Sequence, residues 1–445
     1  MKKLVVLGAG ESGTGAAILG QEKGYQVFVS DKGAIEEKYK KVLSNYEIAY
    51  EEGHHTKLEI LSADLVVKSP GIPDHIALIQ ELLQNEIPVI SEIEFAYKYT
   101  QAKLICVTGS NGKTTTASLT YTALKHAGLN VGLAGNIGKS FAWSVAIDNY
   151  EIYVLEISSF QLDGMFEFKA NIAIITNITP DHLDRYNDSF QNYVNSKFRM
   201  IQNMTPSDCL IYNADDAVIT AELEKRKARI QLFPFSLQKQ FEERGAYISI
   251  DKIIVKNQKD DFIMTLRSLA LQGKHNTYNT MAAGIAAKLM NIRNKNLKES
   301  LTEFQALPHR MEKVATVGGI QYINDSKATN VNSTYFALDS VNKPIVWIAG
   351  GKDKGNDYSS LQSLVQNKVK AIVCMGLNNA PIHEAFGKHV PTIIDTFSAS
   401  EATNVAQRLA EAGDVVLLSP SCASFDLFES YEDRGDKFKQ AVNQL

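Results

Sequence analysis

Residues 103–113 read KLICVTGSNGK: an apolar, β-branched run, then a glycine-rich turn that passes without a break into the helical pattern TTASLTYTALKHAG. A strand that feeds a helix through so short a turn belongs to a parallel α/β unit, because the helix must cross back over the sheet before the next strand begins. The same alternation runs through much of the chain. LVVLG (4–8), QVFVS (26–30), DLVVKS (64–69) and IPVIS (87–91) make a first set, and YVLEIS (153–158), NIAIITNI (171–178) and CLIYN (209–213) continue the second. GIQYIND (319–325), PIVWIAGG (344–351), VKAIVCMG (369–376) and DVVLLSP (414–420) make a third. The runs of the second set lack the alternation of a half-exposed strand, so they are expected to be covered on both faces.

At about 150 residues per domain, 445 residues suggest three domains. The breaks in pattern put them at 1–92, 93–303 and 304–445. The expected class is α/β, with Rossmann-like first and last domains around a central P-loop-type domain with a mostly parallel sheet. Between Arg229 and Arg267 the runs shorten and alternate (AYISI, DKIIVK), which predicts a small antiparallel flap.

Charge and cysteine usage narrow the function. Lys plus Arg number 46 and Asp plus Glu 50, for a formal net charge of -4. No global basic field draws the chain to nucleic acid or anionic lipid, so any anion is held locally. Cys106, Cys209, Cys374 and Cys422 form no C-x-x-C pair, which argues against a disulfide framework or zinc ribbon and fits a reducing cytoplasm. LVVLGAG near the start is read as a strand, since no small-residue cleavage site follows it. No apolar stretch approaches the roughly 20 residues of a spanning helix, so membrane insertion is not expected.

Three glycine-rich turns follow buried strands. Gly8, Gly10 and Gly13 satisfy G-x-G-x-x-G, with Asp31 closing the next strand. That pattern suits a nicotinamide or flavin dinucleotide, a nucleoside diphosphate, or a plain tight turn. The second turn spans Gly109, Ser110, Asn111, Gly112, Lys113, Thr114 and Thr115 and resembles a phosphate-binding loop. Backbone amides would cradle the triphosphate of ATP, Lys113 would neutralise its β and γ oxygens, and the Thr114 hydroxyl would bind Mg2+. Val107 stands where the usual motif has its first glycine, which marks a variant class. The third turn, 350–355 (GGKDKG), offers lysines that suit a carboxylate, or is a solvated charged turn.

Glu156 closes a strand where a carboxylate reaches a metal beside the phosphates. Asp181, His182 and Asp184 lie on the rim after the next strand, where surface capping explains the two aspartates equally well and a lone histidine is usually structural. Lys197 looks like any solvated helix lysine. Asp325 and Lys327 stand at another strand terminus, Lys327 suited to a γ-phosphate, and His309-Arg310 suits a second phosphate or the adenine end. Placement of these groups in a separate domain implies closure over the nucleotide.

GSNGKTTT, EISSFQLD, NITPDHLDRY, Lys197, HNTYN, LPHRME, NDSKATN and SPSCASFDLFESYEDRGDKF together resemble the muramyl ligases over nearly the whole chain. The short first domain and the SPSCASFD ending favour the members that add D-glutamate to UDP-N-acetylmuramoyl-L-alanine. The resemblance implies an ATP-dependent cytoplasmic enzyme of peptidoglycan synthesis, a monomer that uses ATP and two Mg2+ ions and forms an acyl phosphate. It implies a carbamylated Lys197 bridging a magnesium, with Glu156 and His182 as further ligands. It places Asn276 and Asn279 at the adenine end and Arg310 and Asp325 as ATP contacts. It places Asn136, and His182 as well, near the nucleotide-linked substrate. Thr329, Lys354, Ser424 and Phe425 fall at the D-glutamate carboxylates, and Tyr431 stands where the family has phenylalanine. Glu11, Ser12, Asp31, Lys32, Ser69 and Gly71 fall in segments that resemble the uridine diphosphate cleft. The alternatives are a sister muramyl ligase or folylpolyglutamate synthase-like ligase with another amino acid, a nicotinamide-dependent oxidoreductase built on the first turn, and a non-catalytic nucleotide-binding module.

Overall fold

The computed structural model describes residues 1–257, 260–305 and 307–445. They form two compact units, Met1–Ser268 with Tyr278–Glu303, and Leu269–Thr277 with Phe304–Leu445.

The first unit holds two sheets. β1 (Lys3–Leu7), β2 (Gln26–Asp31), β3 (Ala49–Glu52), β4 (Leu65–Lys68) and β5 (Val89–Ser91) are all parallel, in the order β3-β2-β1-β4-β5. Leu4 and Val6 face one core while Val5 and Leu7 face another, so β1 is apolar at every position because both its faces are covered. The order reverses between β1 and β4, and the glycine turn after β1 opens at that switch point, where such sheets bind ligands. Gly13 has no room for a side chain: a Cβ there would land on the Gly8 carbonyl.

The second sheet contains β6 (Lys103–Thr108), β7 (Val131–Gly135), β8 (Ile152–Glu156), β9 (Ile172–Ile175), β10 (Cys209–Asn213), β11 (Gln231–Ser236), β12 (Gly245–Ser249), β13 (Lys252–Lys256) and β14 (Phe262–Thr265), ordered β14-β13-β12-β11-β10-β9-β6-β8-β7. β6 lies between β8 and β9, fully surrounded. The expected antiparallel strands are present as β12–β13–β14. They continue the main sheet through β11, which is parallel to both neighbours, so the flap is an extension of that sheet.

The two sheets of this unit share a core. Val6 and Val29 of the first and Tyr153 and Leu155 of the second belong to one cluster. Polar groups secure the junction. Glu94 accepts the backbone N–H groups of Phe166, Glu167 and Phe168 at 3.1, 2.8 and 3.0 Å. Glu92 is fully buried and accepts the Ala142 N–H, while its Oε2 has no partner among the described residues. Burial raises its pKa to about 7, against the partial relief of the Ala142 hydrogen bond. A carboxyl whose folded pKa lies above its unfolded value of 4.5 stabilises fully below pH 4.5 and loses that contribution as pH rises through about 7. The loss is on the order of 3 kcal/mol. Glu92→Gln is therefore expected to flatten the fall in melting temperature between acid and neutral pH. An unchanged pH profile would show that Glu92 does not titrate in this window.

The second unit holds β15 (Glu312–Val317), β16 (Ile320–Asn324), β17 (Ile345–Ala349), β18 (Val369–Met375), β19 (Ile393–Thr396) and β20 (Val415–Leu418), ordered β15-β16-β20-β17-β18-β19. The β15–β16 pair is antiparallel and the other pairs of this sheet are parallel. Trp347 and Leu417 face one core and Val346 and Val416 the other, so this sheet too is covered on both sides.

Candidate active site

The loop after β6 is held by the strand beside it. Ser110 N–H donates to the Asn177 carbonyl at 2.8 Å, and Asn111 N–H donates to Asn177 Oδ1 at 2.9 Å. Asn177 Nδ2 and the Thr176 hydroxyl both donate to the Asn111 carbonyl, at 3.0 and 2.6 Å. The Ser110 hydroxyl donates to the Thr179 carbonyl at 2.8 Å, accepts the Thr179 N–H at 2.9 Å, and meets Tyr193 OH at 3.0 Å. Gly109 sits at φ 144° with Thr176 and Asn177 against it, so a side chain fits neither the backbone nor the space. The loop is thus fixed in shape before any ligand arrives, which lowers the ordering cost of binding.

Two lysines converge on it. Lys113, the first residue of helix Lys113–His126, donates through Nζ to the carbonyls of Gly109 and Ser110 at 2.9 and 2.8 Å. Lys197, on helix Phe190–Phe198, donates to the same Gly109 carbonyl at 2.8 Å and lies 4.6 Å from the Tyr193 ring centroid. Lys197 is only 1% exposed, and burial, reinforced by the charge of Lys113, holds its pKa well below the usual lysine range. It is thus the opposite of a solvated helix lysine.

Glu156 ends β8 directly opposite Val107 of β6 and Gly135 of β7. Its Oε1 accepts Asn136 Nδ2 at 3.0 Å, and its Oε2 is buried with no partner among the described residues. Asn136 therefore meets the carboxylate of Glu156. His182, at φ 53°, packs edge-on to Phe160 with ring centroids 5.1 Å apart, and its Nε2 is 3.7 Å from Asp181. Thr114 follows Lys113 in the first helical turn, and Thr115 is buried behind it. Asn279 accepts the Thr116 hydroxyl at 3.2 Å, beside Gly112.

At the first glycine turn, Asp31 accepts the N–H of Ala9 at 2.7 Å and of Gly33 at 2.8 Å. Glu11 accepts the Ser140 N–H and the Tyr39 hydroxyl, both at 3.3 Å. Ser69 borders Gly8, Ser12 lies in the first helical turn, and Lys32 and Gly71 are exposed. Arg185, not among the expected residues, donates to the carbonyls of Pro70 and Gly71 at 3.3 and 3.2 Å and covers the Phe160 ring at 4.5 Å.

In the second unit, Lys327 Nζ sits 3.5 Å from the centroid of the Tyr431 ring, a cation–π contact that gives the expected phenylalanine position an aromatic role here. Asp325 is buried, accepts Ser419 Oγ at 3.0 Å and Met311 N–H at 3.2 Å, and has its pKa raised to about 7 by burial against the pull of Arg310. Ser424 is buried, and Lys352 N–H donates to the Ala423 carbonyl at 2.8 Å, which sets the turn carrying Lys354 beside it. Thr329 and Lys354 are exposed, and Phe425 is 70% exposed. Asn276 donates to the Gln272 carbonyl at 3.0 Å.

Arg434, missed by the sequence reading, is wholly buried and ties these segments together. It donates to Ser326 Oγ, the Ser326 carbonyl and the Cys422 carbonyl at 3.0, 2.8 and 3.2 Å. Arg434→Leu strands these acceptors and is expected to cost about 3–5 kcal/mol. Denaturant titration checks this, and a cost under about 1 kcal/mol would contradict the assignment.

These features define a class: an α/β protein whose preformed glycine-rich loop is flanked by a buried carboxylate and a buried lysine. Comparison with known proteins agrees. The Mur ligase middle domain matches residues 107–287, the Mur ligase glutamate ligase domain 309–422, and the MurD N-terminal domain 3–77. The chain belongs to the Mur ligase family, with its three-domain α/β fold. It is 53% identical over 444 residues to the UDP-N-acetylmuramoylalanine–D-glutamate ligase of Christiangramia forsetii, covering 100% of both chains. The same-named ligase of Salinibacter ruber is 39% identical, covering 100% of this chain and 98% of the relative. Among solved structures, the UDP-N-acetylmuramate–alanine ligase of Thermotoga maritima superposes with a TM-score of 0.65 at 19% identity, over 100% of this chain and 99% of that one. Among the described residues, no helix is long and apolar enough to cross a membrane.

Proposed function

We propose that this protein joins D-glutamate to UDP-N-acetylmuramoyl-L-alanine with cleavage of ATP to ADP and phosphate, acting as a cytoplasmic monomer. The observation that carries the reading is the phosphate loop itself, with Lys113 and Lys197 on the Gly109 carbonyl and Glu156 one strand away. A carboxylate and an amine do not condense in water. The L-alanyl carboxylate therefore attacks the γ-phosphorus of ATP, forming a C(O)–O–P bond as the bond to ADP breaks. The amine of D-glutamate then adds to the acyl carbon, and the tetrahedral adduct loses phosphate and a proton to give the amide.

Loop amides and Lys113 bind and orient the polyphosphate. The donor set suits Mg2+, because the buried Glu156 Oε2, which has no partner among the described residues, is a hard ligand in search of a cation. Glu156, Thr114, His182 and a carbamylated Lys197 would hold it, two ions in all, and the metal supplies charge neutralisation at the phosphoryl oxygens. Thr329, Lys354 and Ser424, with Lys327 and Tyr431 nearby in sequence, offer cations and hydroxyls matched to a dicarboxylate amino acid. The oxidoreductase reading would leave this second loop idle.

The test is a panel. UDP-N-acetylmuramate, its L-alanyl derivative and folates are each offered with ATP, Mg2+ and a set of L- and D-amino acids, and ADP and amide are counted. The expected result is equal ADP and amide with the L-alanyl nucleotide and D-glutamate alone. Equal turnover with another pair would reassign the chain to a sister ligase.

A further inference from the structure

Cys374 of β18 and Asp395 of β19 stand opposite each other in parallel register, so both side chains leave the same face of the sheet. On that face lies helix Ala380–Phe386, whose Ile382 and Phe386 share a core with Cys374 and whose last turn carries His383. The Cys374 sulfur, a ring nitrogen of His383 and a carboxylate oxygen of Asp395 all lie within 4.8 Å of one another. His383 Nε2 and Asp395 Oδ1 are already 3.0 Å apart. The Thr396 hydroxyl donates to the Cys374 carbonyl at 2.8 Å, which fixes the register that brings thiol and carboxylate together.

The cluster is walled on one side and open on the other. Cys374 is fully buried, whereas the His383 and Asp395 side chains are 41% and 45% exposed, so an ion has an entry path and a solvent-facing position. A thiolate, an imidazole and a carboxylate together form a borderline-soft donor set, which suits Zn2+ and disfavours Mg2+, a cation that takes oxygen ligands. Zinc bonds of about 2.0–2.3 Å place tetrahedral ligands roughly 3.3–3.8 Å apart. The present spread needs a closure of only about 1 Å, which side-chain rotation supplies.

We propose that Cys374, His383 and Asp395 form a divalent transition-metal site of the zinc class, with three protein ligands and a fourth position open to solvent. Binding forms a metal–sulfur bond and releases the thiol proton to solvent. None of these three residues belongs to the loop after β6, and the site takes no part in the ligase reaction proposed above.

The experiment titrates Co2+ into the full-length protein under excess Mg2+, which keeps oxygen-only sites filled. The expected result is one equivalent of Co2+ with a near-ultraviolet thiolate-to-cobalt charge-transfer band, bleached by Zn2+. Cys374→Ser removes the band, and His383→Ala and Asp395→Asn each weaken binding by at least about 10-fold. Both latter positions are partly exposed, so these variants are expected to keep the parent melting temperature and ligase turnover. No charge-transfer band at saturating Co2+ would overturn the proposal and leave His383–Asp395 a simple ion pair. A band indifferent to His383→Ala and Asp395→Asn would overturn it as well.

Discussion

Lys113→Ala is expected to lower the rate of ADP release by about 10³-fold, the scale on which one preorganised charge at a transferring phosphoryl group acts. Its ammonium lies on the Gly109 and Ser110 carbonyls, at the lip of a loop whose shape is set by Thr176, Asn177 and Thr179. Those clamps do not involve the Lys113 side chain, and Lys113 is only partly buried. The variant should therefore fold with a stability change within about 1 kcal/mol, so that lost turnover reports chemistry. Turnover within a few-fold of the parent would remove the loop from the reaction.

Lys197→Ala is expected to have an effect of similar size, about 10²–10³-fold, for a different reason. A lysine that is 1% exposed, with its pKa held well below the usual lysine range by burial and by the charge of Lys113, gives up its proton more readily than a surface lysine. An uncharged amine adds to dissolved CO2, forming an N–C bond and losing a proton, and the resulting carbamate carries an anionic oxygen donor next to the Lys113 cation. The parent enzyme should then slow when CO2 and bicarbonate are stripped from the buffer and recover when bicarbonate returns. With ¹³C-labelled bicarbonate, a carbamate resonance should appear in the parent and be missing from Lys197→Ala. An enzyme indifferent to bicarbonate, with no such resonance, would leave Lys197 as an amine that merely braces Gly109.

How much of this was legible beforehand depended on where each signal sits. Strands covered on both faces, such as β1, β6 and β17, announce themselves as unbroken apolar runs. β3, β15 and β19 stand at sheet edges with half-exposed sequences (AYEE, EKVATV, IIDT), and no continuous run marked them. β7 stands at one edge of the nine-stranded sheet, and the glycines of VGLAG interrupt its apolar run.

The glycine-rich loop after β6 was legible because its pattern is written in consecutive residues. The residues that shape it were not. Asn177 reaches Asn111 across 66 positions of sequence and Tyr193 reaches Ser110 across 83, and a side chain that serves a distant backbone leaves no local pattern. Lys197 is the sharpest case. Nothing in SFQNYVNSKFRM distinguishes it from a surface lysine, and only the family resemblance singled it out before the structure showed it buried. Arg434 in RGDKF escaped notice for the same reason: its burial is decided by Ser326 and Cys422, elements far from it in sequence or hidden in a loop.

The most direct test of the central claim follows an oxygen atom. UDP-N-acetylmuramoyl-L-alanine labelled with ¹⁸O in its carboxylate is turned over with ATP, Mg2+ and D-glutamate, and the released phosphate is analysed by mass. If the carboxylate is phosphorylated at the loop after β6, each phosphate carries one ¹⁸O drawn from the substrate. Phosphate free of label, formed while amide accumulates, would show that ATP cleavage activates something other than that carboxylate and would contradict the account.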